Sequence, residues 1–268
     1  MKAVKILDKY FHIARVSLAS QLVYVKNFFV RNIFFVFIIY IMLLLWRAIY
    51  GSQGNTIAGF TLTQMIWYLI TTELVALTRS NVFLEVSEDV KKGNIAYLIN
   101  KPYHYVGYIF SNSMGEVGLR FVINGLTAII MGFILVGPLE EFSMIHLPMI
   151  ILAIILGICL NFFIYITLAL SAFWFEENAA LSWIYSKLIF MLGGMLIPLK
   201  LLPNWLESIA RYMPFAYVTY GPGRLAVNFS YQQFFEILMW QGGYLITFVL
   251  LALLVYRKGV KELNVNGG

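Results

Sequence analysis

Apolar residues in this chain arrive in blocks of roughly twenty, the length of α-helix that spans the ~30 Å hydrocarbon core of a bilayer. One of them runs without interruption from Ile33 to Trp46. Only 12% of residues are charged while 61% are hydrophobic, whereas a soluble domain carries charge on about a quarter of its positions. Too few charges remain to clothe a water-facing surface, so the bilayer is the solvent. Lipid satisfies no backbone group, which makes the crossing segments helical.

Six spans are expected, over 29–50, 57–78, 105–136, 147–175, 181–197 and 237–256. The fold class is an all-α membrane protein in a single transmembrane domain. It has an N-terminal interfacial helix over 1–28, an amphipathic segment over 83–102 after the second span, and short re-entrant or interfacial outer helices over the Pro-rich stretch 198–236. Lys26, Asn27, Arg31 and Asn32 interrupt the first thirty or so residues, so a cleavable signal peptide is not expected. The turn-rich stretch 51–55 closes the first span, and Gly137 with Pro138 closes the third. The third is longer than a bilayer needs, so its first turns should protrude.

Lysines and arginines set the orientation. With both termini in the cytoplasm, the inner side holds Lys2, Lys5, Lys9, Arg15, Lys26, Arg31, Arg79, Lys91, Lys92, Lys101, Arg257, Lys258 and Lys261. The outer side then holds Lys200, Arg211 and Arg224, with Arg47 at its edge, a bias that satisfies the positive-inside rule. The net charge of +6 is explained by this retention rather than by nucleic acid.

Several chemistries lack their residues. No GxxxxGK[ST] phosphate cradle occurs, so ATP hydrolysis would require another subunit. His12, His104 and His146 fall at different boundaries, two on one side and one on the other, which excludes a shared metal site. Cys159 has no partner for a disulfide and reads as a small core residue. The Trp and Tyr residues between Trp205 and Tyr231 suit either an aromatic belt or a gate.

Three polar features remain. Glu73 lies inside the second span, where a carboxylate is costly and faces protein or water. Thr61, Tyr68 and Thr72 share its segment and could line a polar translocation strip, or Glu73 could accept a structural hydrogen bond at a helix contact. Glu116 and Arg120 have the i,i+4 order of a structural ion pair. In 83–102, Phe83, Val86 and Val90 recur at helical spacing, Lys91 and Lys92 fall in the last turn, and Gly93 before Asn94 offers a left-handed stop. The apolar face could enter a groove on a partner. Glu85, Glu88, Asp89 and Lys92 would form a charged rim, and the acidic triplet is unfavourable beside anionic lipid.

The order of parts resembles the membrane subunit of ABC-2 type exporters. Two stretches carry the likeness: Lys92-Gly93-Asn94-Ile95-Ala96-Tyr97-Leu98-Ile99-Asn100-Lys101-Pro102, and Pro198-Leu199-Lys200-Leu201-Leu202-Pro203-Asn204-Trp205-Leu206 followed by Met213-Pro214-Phe215. Asn100-Lys101-Pro102 departs from the Leu or Arg that members often carry before the proline. The resemblance implies a dimer with a second permease subunit, the same chain or a sibling, in a bacterial plasma membrane. Cytoplasmic P-loop ATPase subunits would dock on the segment that holds Phe83, Glu85, Val86, Glu88, Asp89, Val90, Lys92, Gly93 and Asn94. It also implies that this chain binds no cofactor, with ATP and Mg held by the partner, and that a drug, peptide, lipid or glycan-like substrate moves outward. The rival reading is an ion-driven secondary transporter with Glu73 as carrier, for which 29–136 and 147–256 show no inverted repeat.

Overall fold

The computed structural model describes residues 2–23, 25–140 and 142–266. Side chains of 2–6, 25–31 and 263–266, and so the charges of Lys2, Lys5, Lys26 and Arg31, lie outside the described residues, as does Glu141. Twelve α-helices follow one another, joined by turns, three of them 3-10, with no strand among the described residues. The first six are α1 (Lys2–Val23), α2 (Val25–Gln53), α3 (Leu62–Leu77), α4 (Val82–Lys91), α5 (Asn94–Ile99) and α6 (Tyr105–Val136). The rest are α7 (Leu147–Ala169), α8 (Ala179–Leu192), α9 (Asn204–Arg211), α10 (Pro214–Val218), α11 (Tyr220–Val227) and α12 (Tyr231–Asn266).

Four stretches are long and apolar enough to cross a membrane: Asn32–Gln53, Tyr105–Val136, Met144–Phe173 and Tyr231–Glu262. The second and fifth expected spans are shorter than their sequence blocks. α3 has 16 residues and α8 has 14, or about 24 and 21 Å at 1.5 Å per residue. α3 starts late because Ile57 and Phe60 close a tight turn through a pair of backbone hydrogen bonds. Thr61 then caps the helix: its hydroxyl accepts from the Gln64 amide while the Gln64 side chain accepts from the Thr61 amide, a complete capping box. α8 stops at Gly193, and the positive φ of 69° at Gly194 sends the chain away. α12 runs the other way, beyond the expected 237–256 at both ends. Its last turns are polar, but Arg, Lys and Glu are good helix formers, so hydropathy ends before the helix does.

α3 is the hub of the bundle. Ten of its sixteen residues are buried, from Met65 to Val75 with few gaps, between α2, α6 and α11. α2 by contrast, among its described side chains, turns Asn32, Phe35, Ile39, Leu43, Trp46 and Tyr50 inward and leaves Ile33, Phe34 and Phe37 exposed, the single stripe of a helix that meets protein on one side. α1 lies along α6. A Cβ at Gly115 would overlap the Ala14 carbonyl oxygen, so the glycine permits this approach. Lys9 Nζ donates to the Pro102 carbonyl at 2.7 Å and Ser17 Oγ to the Asn112 carbonyl at 2.7 Å.

Contacts gather at two ends. At one, α4 meets the start of α6, where the Tyr105 hydroxyl donates to Asp89 and the Tyr105 ring stacks on Tyr256 of α12. At the other, Trp67 Nε1 of α3 donates to the Gly137 carbonyl, and His146 stacks on Phe229 in the turn after α11.

Candidate functional site

Glu73 is 8% exposed. It lines a cavity of about 520 Å³ between α3, α6, α7 and α8. α6 contributes Arg120 and Asn124, α7 Asn161 and Tyr165, α8 Ser186 and Lys187, and the α3–α4 link Arg79. Phe34 of α2 and Phe190 of α8, both exposed, stand at its edge, so the cavity opens towards an apolar flank. Among the described residues, no hydrogen bond or ion pair reaches the Glu73 carboxylate, and no carboxylate lies within 4.0 Å of Arg79 or Lys187.

The cavity wall is tied to the elbow formed by α4 and α5. Arg79 donates from Nη1 to the Tyr165 hydroxyl and holds its guanidinium over that ring at 5.5 Å. Arg120 donates both to the Arg79 carbonyl and to Glu116, so the expected i,i+4 pair exists and also clamps the α3–α4 link. The Tyr165 hydroxyl shares a 3.0 Å hydrogen bond with Ser186, and Tyr185 donates to Asn161 at 2.8 Å. Phe83 of α4 meets the Tyr165 ring edge to face. Asn178, buried just before α8, donates to Ser87 of α4 at 3.2 Å. Displacement of α4 therefore bears directly on Tyr165, which lines the cavity.

The elbow itself is turned over relative to the sequence expectation. Phe83, Val86 and Val90 are buried in the chain's own core, against α7 and the turn after it, rather than free for a partner groove. Two members of the expected charged rim also point inward. Glu85 accepts from Asn112 Nδ2 at 3.2 Å, and Asp89 accepts from the Tyr105 hydroxyl at 3.0 Å. Burial, then the charges of Asp89 and Glu116, push the Glu85 carboxyl from its ordinary 4.5 up to about 7. Glu88 stays outside, paired with Lys92 at 2.6 Å and held below the usual carboxylate range by that partner. Gly93 adopts φ 74°, the left-handed stop read from the sequence, and Asn94 opens α5. Leu84 and Tyr97 are 61% and 65% exposed, and with Glu88 and Lys92 they form the outward face.

The expected polar strip on α3 divides. Thr61 is spent as the N-cap. Tyr68 is fully buried, donating to the Gly194 carbonyl and packing against Phe60 and Tyr220. Thr72 is buried too and bonds the Leu69 and Met195 carbonyls. Only Glu73 reaches the cavity, because the opposite side of α3 is taken by α11. Arg120 was read as an ion-pair residue and not as part of a cavity, and the remaining wall residues escaped sequence reasoning because they come from several elements. Among these Lys187 carried a signal, a cation inside the fifth expected span. The three histidines remain apart, and among the described residues no group of three His, Cys, Asp or Glu side chains is placed to hold a metal.

Long apolar helices, one buried hub helix and an internal polar cavity define an integral membrane protein of the transport kind. The family described as ABC-2 family transporter protein matches residues 36–267, and the chain belongs to it: it is an ABC transporter permease, a membrane component of a kind that is generally non-catalytic. No curated protein matches the chain.

Proposed function

We propose that the chain is the permease of an ATP-driven exporter, crossing a bacterial plasma membrane six times with α3 and α8 as its short second and fifth passes. Both termini and the elbow are cytoplasmic in this reading, in keeping with the lysine and arginine bias. ATPase subunits carrying ATP and Mg press on the outward face of the elbow, through Leu84, Glu88, Lys92 and Tyr97, and the substrate enters the cavity beside Glu73. A second permease subunit, the same chain or a sibling, closes the open flank between α2 and α8. The observation that carries this reading is the elbow-to-cavity linkage. Phe83 and Arg79 both engage Tyr165, so force applied at α4 reaches the cavity wall without an intervening loop.

The test is co-purification and transport with the cognate ATPase. The isolated chain is expected to hydrolyse no ATP. Leu84→Arg combined with Glu88→Lys should abolish ATPase co-purification while the permease stays folded, because both side chains are exposed. Retained co-purification in that double variant removes the elbow as the docking site. Transport that survives ATP depletion but stops when the proton gradient is dissipated would replace the exporter with the ion-driven alternative.

A further inference from the structure

We propose that the cavity recognises a zwitterionic amphiphile, whose cationic amine pairs with Glu73 and whose phosphate or carboxylate meets Arg79 and Lys187. The inference rests on the cavity being the substrate's entry point and adds the substrate's chemical class.

Three observations carry it. Glu73 is more than nine-tenths buried, faces the cavity, and has no hydrogen-bonding or ionic partner among the described residues. A buried carboxylate without a partner costs far more than one facing a cation, so a cationic group is the ligand chemistry that completes it. Arg79 and Lys187 lie on the same cavity without a carboxylate of their own; each touches only an aromatic ring or hydroxyl, Tyr165 for Arg79 and Trp183 for Lys187. Arg120 is already engaged by Glu116. The cavity thus offers one buried negative group and, from exposed residues on its wall, two positive ones, so a ligand that carries both charges meets each of them.

Size and access identify an amphiphile. A volume of about 520 Å³ holds a headgroup and the start of a chain. Phe34 and Phe190 at the edge, with Ala76, Leu77 and Ile189 along the wall, offer an apolar route for a tail that stays in the bilayer.

The test uses the purified full-length chain in nanodiscs and four probes: lysophosphatidylethanolamine, lysophosphatidic acid, dodecylamine and tail-less phosphoethanolamine. Lysophosphatidylethanolamine should bind tightest. Glu73→Gln should weaken it and dodecylamine by about tenfold or more while sparing lysophosphatidic acid, the loss expected for one charge-assisted contact. Arg79→Gln with Lys187→Gln should weaken both phosphate probes and spare dodecylamine. Arg79→Lys with Lys187→Arg should restore binding, which separates lost charge from lost fold. Phosphoethanolamine should bind at least tenfold more weakly than its acylated form, since the tail contributes; equal affinity overturns the amphiphile and leaves a headgroup solute. Equal affinity for all three acyl or alkyl probes, or Glu73→Gln without effect on the amine-bearing ones, overturns the proposal. The entry-point reading is judged separately, by whether a bulky thiol reagent on a cysteine at Ser186 blocks ATP-driven transport. If it does while the probe pattern fails, the substrate class is wrong and the path stands. If transport is unblocked while the probe pattern holds, the site binds amphiphiles off the path, and the substrate assignment falls.

Discussion

α2 and α3 lie side by side and solve opposite problems. α2 is long, almost wholly apolar and mostly turned outward, with one inward stripe from Phe35 to Tyr50. α3 is short, carries Thr71, Thr72 and Glu73 mid-helix, and is buried on nearly every side. Hydropathy therefore detects the helices that meet lipid and under-reads those that meet protein, because a helix enclosed by other helices can carry polar groups that its neighbours satisfy. The contrast also locates the functional groups, since a carboxylate such as Glu73 is tolerable only on a helix of the second kind.

The contrast is most easily broken at Tyr68. Tyr68→Ala should cost about 3–5 kcal/mol in unfolding from micelles, as expected for an aromatic removed from a packed core, whereas Phe37→Ala, on the exposed side of α2, should change stability by about 0.5 kcal/mol or less. Equal losses would mean that α3 is no hub. Next in size is the insertion of a charge. Leu126→Asp on the exposed face of α6 should lower translocon-mediated insertion by about 2.5–3.5 kcal/mol. Glu73→Gln should leave insertion near wild type and alter transport instead, read in a glycosylation-reporter assay beside a flux assay. Improved insertion with unchanged flux in Glu73→Gln would return the carboxylate to a structural role.

Much of this architecture was legible and some was not, for physical reasons. α6 occupies 105–136 as expected because Pro102 and Gly137 bracket a long, mostly apolar run. The start of α3 was also written, as Thr61 and Gln64 at capping-box spacing, but the apolar pattern of 57–60 masked it. The elbow's amphipathicity was readable at Phe83, Val86 and Val90, yet amphipathicity states that a face is covered and not by what. Here α7 covers it. The cavity was readable only at Glu73, because Asn124, Asn161, Tyr165 and Ser186 are common residues joined only by tertiary packing.

Two smaller effects sharpen the comparison at the elbow, whose helices are water-facing on one side. Gly93→Ala places a side chain at φ 74°, and although nothing crowds its Cβ, the left-handed conformation should cost about 1–2 kcal/mol. The expected readout is faster proteolysis within 82–99 with the transmembrane bundle intact. Bundle-wide unfolding would show that the elbow is not an independent unit. Smaller still is a pH effect at Glu85. Its carboxyl titrates near 7 when folded against an ordinary 4.5, so the folded state holds the extra proton across that window. The packing of α4 on α6 should weaken as pH rises from about 4.5 through 7 and be strongest below it. Hydrogen exchange of the α4 amides should accelerate over that range in the wild type and not in Glu85→Gln. A flat wild-type profile removes the effect.

The clamp between α1 and α6 has a consequence for how the protein is made. Lys9 and Ser17 find their partners 93 and 95 residues later in the chain. At the ~5–20 residues per second of a working ribosome, that separation is about 5–20 s of synthesis. Throughout that interval α1, with Leu7, Phe11 and Val16 exposed even in the finished fold, has no α6 to rest on and must be kept by the membrane surface or by a chaperone. The Gly115 notch is then the point at which a nascent helix that has been waiting is collected, and biogenesis should be more sensitive to its loss than the completed transporter is.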